Sequence, residues 1–98
     1  MLIGKVVGTV VASQKDEKME GLKFLVLKQV DVEAREGSNY VVAIDAVGAG
    51  VGELVLYASG SSARQTLVTD KRPVDAVVMA IIDQWEVGGV TKYRKDEE

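Results

Sequence analysis

The chain has 98 residues, a formal net charge of −3, and neither cysteine nor histidine. This length fits one domain. The absence of cysteine and histidine excludes disulfides, thiolate or imidazole metal sites, and serine–histidine or cysteine catalysis. The acidic balance disfavours nucleic acid, since phosphate contacts need a positive surface, and no apolar run approaches the ~20 residues that span a bilayer.

The first half of the chain predicts three strands, because β-branched residues that pack well on a pleated surface dominate three segments. Gly4 and Gly8 interrupt the first segment and predict a bulge or a bend of the kind that barrels require. The charged segment Ser13–Gly21 predicts an exposed loop, and the turn cluster Glu33–Asn39 joins the other two strands into a hairpin. The predicted strands are Leu2–Ala12, Leu22–Val32 and Tyr40–Ala46.

The second half predicts three more strands and two loops of small residues. The glycine-dense loop Val47–Gly52 precedes a strand at Glu53–Ala58, and the polar segment SGSSARQT that follows is expected to include a single helical turn. The apolar block within Asp75–Val87 fits a buried helix or a buried strand, and its β-branched residues favour a strand. A Gly-Gly turn follows, and Val90–Lys95 is expected to pair back onto the preceding strand as a short sixth strand.

These elements predict an all-β fold in a single domain over residues 1–98. The expected architecture is a small OB-like five-stranded barrel with a short helical turn and a C-terminal β-hairpin arm. A Greek-key sandwich is the alternative for the same number of strands. With no signal-peptide pattern at the N-terminus and no apolar span, we expect a cytoplasmic protein.

The VGAGVG loop is the first candidate for chemistry, because Gly48, Gly50 and Gly52 match a loose phosphate-loop spacing. Phosphate loops run from a strand into a helix N-terminus, whereas a strand follows this loop and the usual lysine and hydroxyl are missing. The loop therefore indicates either a tight turn or a place where a symmetry-related backbone approaches closely.

The SGSSAR segment offers hydroxyls and a cation, but the base that a serine nucleophile needs is missing. Lys71 has no recognisable spacing for a serine–lysine pair. Scattered carboxylates do not define an acid–base pair, and little chain remains to enclose a substrate. We therefore predict that the protein is not an enzyme and has no cofactor and no metal. The carboxylates considered are Asp45, Glu53, Asp75, Asp83 and Glu86.

An OB-type module that binds single-stranded nucleic acid or a small ligand is the alternative function. Such modules stack bases on aromatic residues in a basic groove, and the acidic charge with five aromatic residues makes a poor match. Trp85 fits a subunit interface and the core equally well. The aromatic residues are Phe24, Tyr40, Tyr57, Trp85 and Tyr93.

Three segments resemble the EutN/CcmL family, the pentameric vertex proteins of carboxysomes and other bacterial microcompartments. They are MLIGKVVGTVVASQK, DAVGAGVGELVLYASGSSARQT and RPVDAVVMAIIDQWE, and the resemblance covers nearly the whole chain. It implies an OB-like barrel and a structural role in a shell, without catalysis. It also implies a cyclic homopentamer whose partners are hexameric and trimeric shell proteins, with no nucleic acid and no membrane.

The family's signature loops correspond to AVGAGVGE and GSSAR, and the resemblance implies that they lie at subunit seams or near a five-fold pore. An ion pair between Glu53 and Arg64 across the seam is one expectation. The alternative is that both loops merely close the barrel. The candidate residues are Gly48, Ala49, Gly50, Val51, Gly52 and Glu53 in the first loop, and Ser59, Gly60, Ser61, Ser62 and Arg64 in the second.

Overall fold

The computed structural model describes residues 1–13, 21–60, 63 and 75–97. These residues form β-strands followed by a short 3-10 turn. The strands are β1 (Leu2–Val10), β2 (Phe24–Val30), β3 (Glu36–Asp45), β4 (Leu54–Ser59), β5 (Ala76–Ile81), β6 (Gln84–Val87) and β7 (Val90–Arg94), and the turn is Lys95–Glu97.

The first five strands close into a barrel with the order β1-β2-β3-β5-β4, and β6 and β7 form a separate two-stranded sheet. Neighbouring barrel strands are antiparallel except β3 and β5, which are parallel at Ile44–Asp45 and Val77–Val78. Closure leaves β4 paired to β1, so the barrel sheet has no open end. This topology confirms the predicted all-β, OB-like five-stranded barrel with a C-terminal hairpin arm.

The barrel interior is filled by the inward-facing side chains of all five barrel strands, because successive side chains of a strand point to opposite faces of the sheet. Gly4 lies against the ring of Tyr57, and a Cβ there would meet the ring carbon Cε1 at 3.0 Å. The small residue at this position therefore makes room for a large buried one. The buried interior residues are Val6, Leu25, Leu27, Ala43, Ala49, Val55, Tyr57, Ala76 and Val78.

Two apolar clusters lie on the outside of the barrel, since their members alternate with the interior residues along the same strands. Ile44, Ala58 and Val77 pack with Ala63, which belongs to the connection between β4 and β5. A second cluster, with members on β1, β2 and β4, includes Tyr93, with Trp85 packed against it, so the hairpin arm covers it. Each cluster is thus covered by a segment of the same chain.

Most predicted strand boundaries differ from the structure by no more than two residues, but two differences are larger. The third strand begins at Glu36 and not at Tyr40, because the Asp31 carboxylate accepts the backbone N–H groups of Glu33 and Arg35 and confines the turn to fewer residues. Asp75–Val87 is strand rather than helix, but it is two strands. The Ile82 N–H still bonds the Leu54 carbonyl of the barrel, after which the chain leaves for the hairpin arm.

Candidate functional site

The VGAGVG loop, residues 47–52, is held by the last residue of β3. One oxygen of the Asp45 carboxylate accepts the backbone N–H groups of Val47, Gly48 and Ala49 at 3.0, 3.0 and 3.2 Å. The Asp45 side chain is only 2% exposed. A carboxylate accepting several N–H groups is a strong turn-forming device, so the loop has a defined conformation before any partner arrives.

The far end of the loop is tied to β1. The Gly52 N–H donates to the Val6 carbonyl at 2.7 Å, and the Val6 N–H donates to the Glu53 carbonyl at 2.9 Å. Gly48 and Gly52 have φ of 77° and 96°, which favour glycine, whereas Gly50 has no such constraint. Gly48 and Gly52 are therefore needed by the loop itself, and Gly50 is not.

Ala49 and Val51 point in opposite directions from this loop. Ala49 is 1% exposed and belongs to the barrel interior, so within the protomer it closes the barrel. Val51 is 66% exposed and Gly50 is also at the surface. The loop thus combines the two roles that the sequence left open: one side chain fills the barrel, while the other side of the loop remains available to a neighbour.

Glu53 connects the loop to the C-terminal turn. One carboxylate oxygen accepts the Gly50 N–H at 2.6 Å, and the other lies 2.6 Å from the Lys95 Nζ. The hydrogen bond from Lys95 holds the pKa of Glu53 below its usual value, and the Gly50 N–H acts in the same direction. The same contact raises the pKa of Lys95. The expected partner, Arg64, lies outside the described residues.

The second candidate loop begins where β4 ends. Ser59 is exposed, and Gly60 has a φ of 65° and donates its N–H to the Asp75 carbonyl at 2.8 Å. Ala63 is fully buried in the outer cluster. Ser61, Ser62 and Arg64 lie outside the described residues, as does most of the expected helical turn.

In the part of the chain that the structure describes, the two loops begin far apart within one protomer. Glu53 immediately precedes β4 and Ser59 is its last residue, so the loops start at opposite ends of a strand about 17 Å long. A heterologous ring contact joins two different patches of neighbouring copies. The separation of the loops is therefore compatible with such a ring.

Within residues 1–13, 21–60, 63 and 75–97, no three potential ligand residues come together as a metal site would require. Asp45 and Glu53 bind backbone N–H groups of their own loop. The described part of the chain contains no helix long and apolar enough to cross a membrane.

The aromatic residues are mostly used for packing, and all five lie in the described part of the chain. Trp85 lies against Tyr93 with ring centroids 5.3 Å apart, and its Nε1–H donates to the Val32 carbonyl at 2.9 Å. Only Tyr40 is mainly exposed, with the Lys28 Nζ 5.8 Å from its ring centroid. Trp85 therefore anchors the hairpin arm, one of the two roles that the sequence allowed.

Sequence reasoning missed the surface around Tyr40. Val42 and Val7 are also exposed there, although both belong to segments assigned only as strands. The apolar stretch YVVAI carried a usable signal, because continuous apolar residues on a strand leave no polar face for solvent. Whether these apolar residues are buried or exposed depends on which segments cover the outer face of the barrel, and only the fold shows this.

Comparisons with known proteins agree on one family. The family model described as ethanolamine utilisation protein EutN/carboxysome matches residues 1–83. The chain is 49% identical over 98 residues to the carboxysome shell vertex protein CcmL of Gloeobacter violaceus, covering 100% of this chain and 98% of that protein.

Solved structures show the same likeness in three dimensions. The Gloeobacter violaceus CcmL structure has a TM-score of 0.95 at 50% identity and covers 98% of this chain and 99% of that one. The GrpN pentameric microcompartment shell protein from Rhodospirillum rubrum has a TM-score of 0.81 at 40% identity. That match covers 89% of this chain and 100% of the GrpN chain.

Proposed function

Because the chain belongs to the EutN/CcmL family, we propose that it is a structural vertex subunit of a bacterial microcompartment shell. It acts as a cyclic homopentamer in the shell, within the cytoplasm, and catalyses no reaction. The observation that carries this proposal is the end-to-end match to shell vertex proteins, at 49% identity to one CcmL and a TM-score of 0.95 to its structure.

A pentamer serves a shell because flat six-fold tiles cannot close a polyhedron. Five-fold units at the vertices supply the curvature that the tiles lack. We propose hexameric and trimeric shell proteins as the neighbours of this pentamer. The segments 14–21 and 33–39 and the C-terminal residues are the proposed places for those contacts.

The geometry of the glycine loop supports a place at the subunit seam. Hydrogen bonds to Asp45 and to β1 hold both ends of the loop within the protomer. Gly50 and Val51 lie on its outer side, and glycine allows another backbone to come near. Ser59 and Gly60 are surface residues at the other end of β4 and form the second proposed contact.

Native mass spectrometry of the purified protein tests the proposal first. The expected result is a dominant species at five times the subunit mass of 10.5 kDa. A monomer at micromolar concentration would contradict a vertex role.

Gly50→Leu tests whether the glycine loop lies at the seam. Gly50 has no positive φ, and a Cβ there meets only the Glu53 Oε1 at 3.4 Å, so the protomer accepts a side chain. We expect Gly50→Leu to lose the pentamer while its circular dichroism stays that of the folded barrel. Gly37→Leu is the matched control, because its Cβ also has 3.4 Å of clearance and lies outside both loops. An intact Gly50→Leu pentamer would contradict the proposed position of the glycine loop at the subunit seam.

The OB-module alternative has one observation in its favour, the exposed Tyr40 beside Lys28. The Lys28 and Lys5 ammonium groups each lie 3.4 Å from the Glu36 carboxylate, which neutralises part of their charge. A groove for phosphates needs uncompensated positive charge. Gel mobility of single-stranded DNA and RNA at low salt tests this function, and a saturable shift would favour it.

A further inference from the structure

The hairpin arm reaches the glycine loop through the residue that follows β7. Lys95 begins the C-terminal turn, and its Nζ lies 2.6 Å from the Glu53 Oε2. Its backbone N–H donates to the Asp83 carbonyl at 2.8 Å, which closes the base of the arm. The arm itself docks on the barrel through Trp85, whose Nε1–H donates to the Val32 carbonyl at 2.9 Å. The position of the Lys95 side chain is therefore tied to that of the docked arm.

Glu53 extends this contact to Gly50. Its Oε1 accepts the Gly50 N–H at 2.6 Å, while its own backbone N–H donates to the Gly50 carbonyl at 3.2 Å. The carboxylate is planar, so the ammonium group that fixes Oε2 also fixes the direction of Oε1. Both side-chain hydrogen bonds involve a charged group, which makes them shorter and stronger than neutral ones. Lys95, Glu53 and Gly50 thus form one continuous chain of contacts.

Other parts of the glycine loop are held by groups that do not belong to the arm. Asp45, whose side chain is buried, accepts three N–H groups, that of Gly48 among them. The Gly52 N–H donates to a carbonyl of β1. Gly50 lies between these two attachments, and its N–H ends the chain of contacts from the arm. The loop therefore contains one amide that is linked to the arm and others that serve as internal references.

The charges around Lys95 favour this contact. The hydrogen bond to Glu53 raises the pKa of Lys95, and the nearby Asp83 and Tyr93 act in the same direction. The hydrogen bond from Lys95 lowers the pKa of Glu53, and the Gly50 N–H adds to that effect. Since the pKa of Lys95 is raised from 10.5 and that of Glu53 is lowered from 4.5, both groups are charged near neutral pH. The contact is therefore an ion pair under these conditions.

We propose that the ion pair between Lys95 and Glu53 couples the docking of the hairpin arm to the conformation of the glycine loop at Gly50. The docked arm holds the loop at Gly50, and release of the arm removes this hold. Such a coupling is reciprocal, so a partner that fixes Gly50 also strengthens the docking of the arm. All of these contacts lie within one protomer, so the inference goes beyond the proposed vertex role and does not depend on a pentamer.

The exchange of amide protons with water, measured by NMR on the isotope-labelled protein, provides the first test. Lys95→Met keeps an unbranched side chain and removes the ammonium group. We expect the Gly50 N–H to exchange about two- to fivefold faster, the effect of losing one partly exposed ion pair, while the Gly48 N–H keeps its rate. Lys92→Met is the matched control, because its ammonium group joins the arm to Glu33 at 2.8 Å and not to the glycine loop. An unchanged Gly50 rate in Lys95→Met, or an equal rise in Lys92→Met, would overturn the coupling.

A double-mutant cycle tests whether the arm acts on the loop through this ion pair. Trp85→Ala releases the arm and should raise the Gly50 exchange rate to the level of Lys95→Met. Trp85→Phe keeps a stacking ring and should leave the rate close to that of the wild type. Combining Trp85→Ala with Lys95→Met should add nothing, because both changes break the same path. Additive effects would mean that the arm reaches the loop by another route, and they would refute the proposal.

Native mass spectra of the same samples report on assembly separately from the exchange rates. A monomeric wild-type protein would contradict the proposed vertex role, while its Gly50 exchange rate would still test the coupling. A pentameric wild type whose Gly50 rate does not respond to Lys95→Met would refute the coupling and leave the vertex role standing.

Discussion

Gly4 lies on β1 opposite the ring of Tyr57, and the barrel interior depends on the size of this one residue. Tyr57 is buried, and its burial raises the pKa of its hydroxyl. The ring occupies space that a Cβ at position 4 would need, with contacts of 3.0 and 3.2 Å to two ring carbons. A buried ring in a packed core has little freedom to move aside.

Gly4→Ala should therefore destabilise the barrel by about 1–3 kcal/mol, the usual cost of overpacking a core. Urea unfolding at a fixed subunit concentration measures the effect, because assembly makes stability depend on concentration. Gly8→Ala is the control on the same strand, since its Cβ would meet only Val26 at an ordinary 3.9 Å. Equal losses in the two variants would contradict the assigned cause.

At the scale of elements, the hairpin of β6 and β7 acts as a cover for one outer face of the barrel. Tyr93 is buried there, and Trp85 stacks on it while donating to the Val32 carbonyl. The Lys95 N–H bonds the Asp83 carbonyl and closes the base of the hairpin. The family model ends at residue 83, immediately before this hairpin, whereas the match to the Gloeobacter violaceus CcmL covers 100% of this chain and includes it.

Trp85→Phe and Trp85→Ala separate the two contributions of this anchor. Trp85→Phe removes one hydrogen bond and keeps a stacking ring, so we expect a loss of about 0.5–1.5 kcal/mol. Trp85→Ala also removes the packing, and it should release the hairpin so that trypsin cleaves after Lys92 and Arg94 while the barrel persists. Limited proteolysis followed by mass spectrometry checks this. Equal resistance of both variants would mean that Trp85 is not the anchor.

At the scale of the whole molecule, contacts between distant parts of the chain position the surfaces available for assembly. The Lys95 ammonium group at the C-terminal turn lies 2.6 Å from the Glu53 carboxylate at the end of the glycine loop. The loop is thereby linked to the hairpin arm as well as to β1 and β3. The glycine loop is therefore held from three sides, as suits a surface that meets a partner without rearranging.

Acid should remove the stabilising contribution of Glu53, and the comparison with Glu53→Gln isolates it. Its pKa in the folded chain is lowered from 4.5, so its stabilising contacts are present above pH 4.5 and are lost as the pH falls through the lowered value. Glu53→Gln keeps an acceptor for the Gly50 N–H but loses the ion pair. The melting temperature of the wild type should exceed that of Glu53→Gln near pH 7 and converge with it in acid. A constant difference across this range would contradict the ion-pair explanation.

The sequence by itself determined the fold class, the number of barrel strands and the family. Valine-rich segments separated by glycine and polar turns specify strands through local sterics, and the signature loops identify the family without coordinates. The single-strand assignment for Asp75–Val87 failed because the break depends on a hydrogen bond from Ile82 to Leu54, far away in sequence. The start of β3 was missed because the Asp31 carboxylate shortens the turn.

Only the tertiary structure decided which side chains of the glycine loop are exposed and which outward strand residues remain at the surface. Ala49 and Val51 are apolar residues on either side of Gly50, yet Ala49 fills the barrel and Val51 is exposed. The partner of Glu53 is Lys95, 42 residues away. Tyr40 and Val42 lie within an apolar stretch of the sequence, yet both are exposed on β3. Burial depends on which segments meet in space, and local sequence does not encode those long-range contacts.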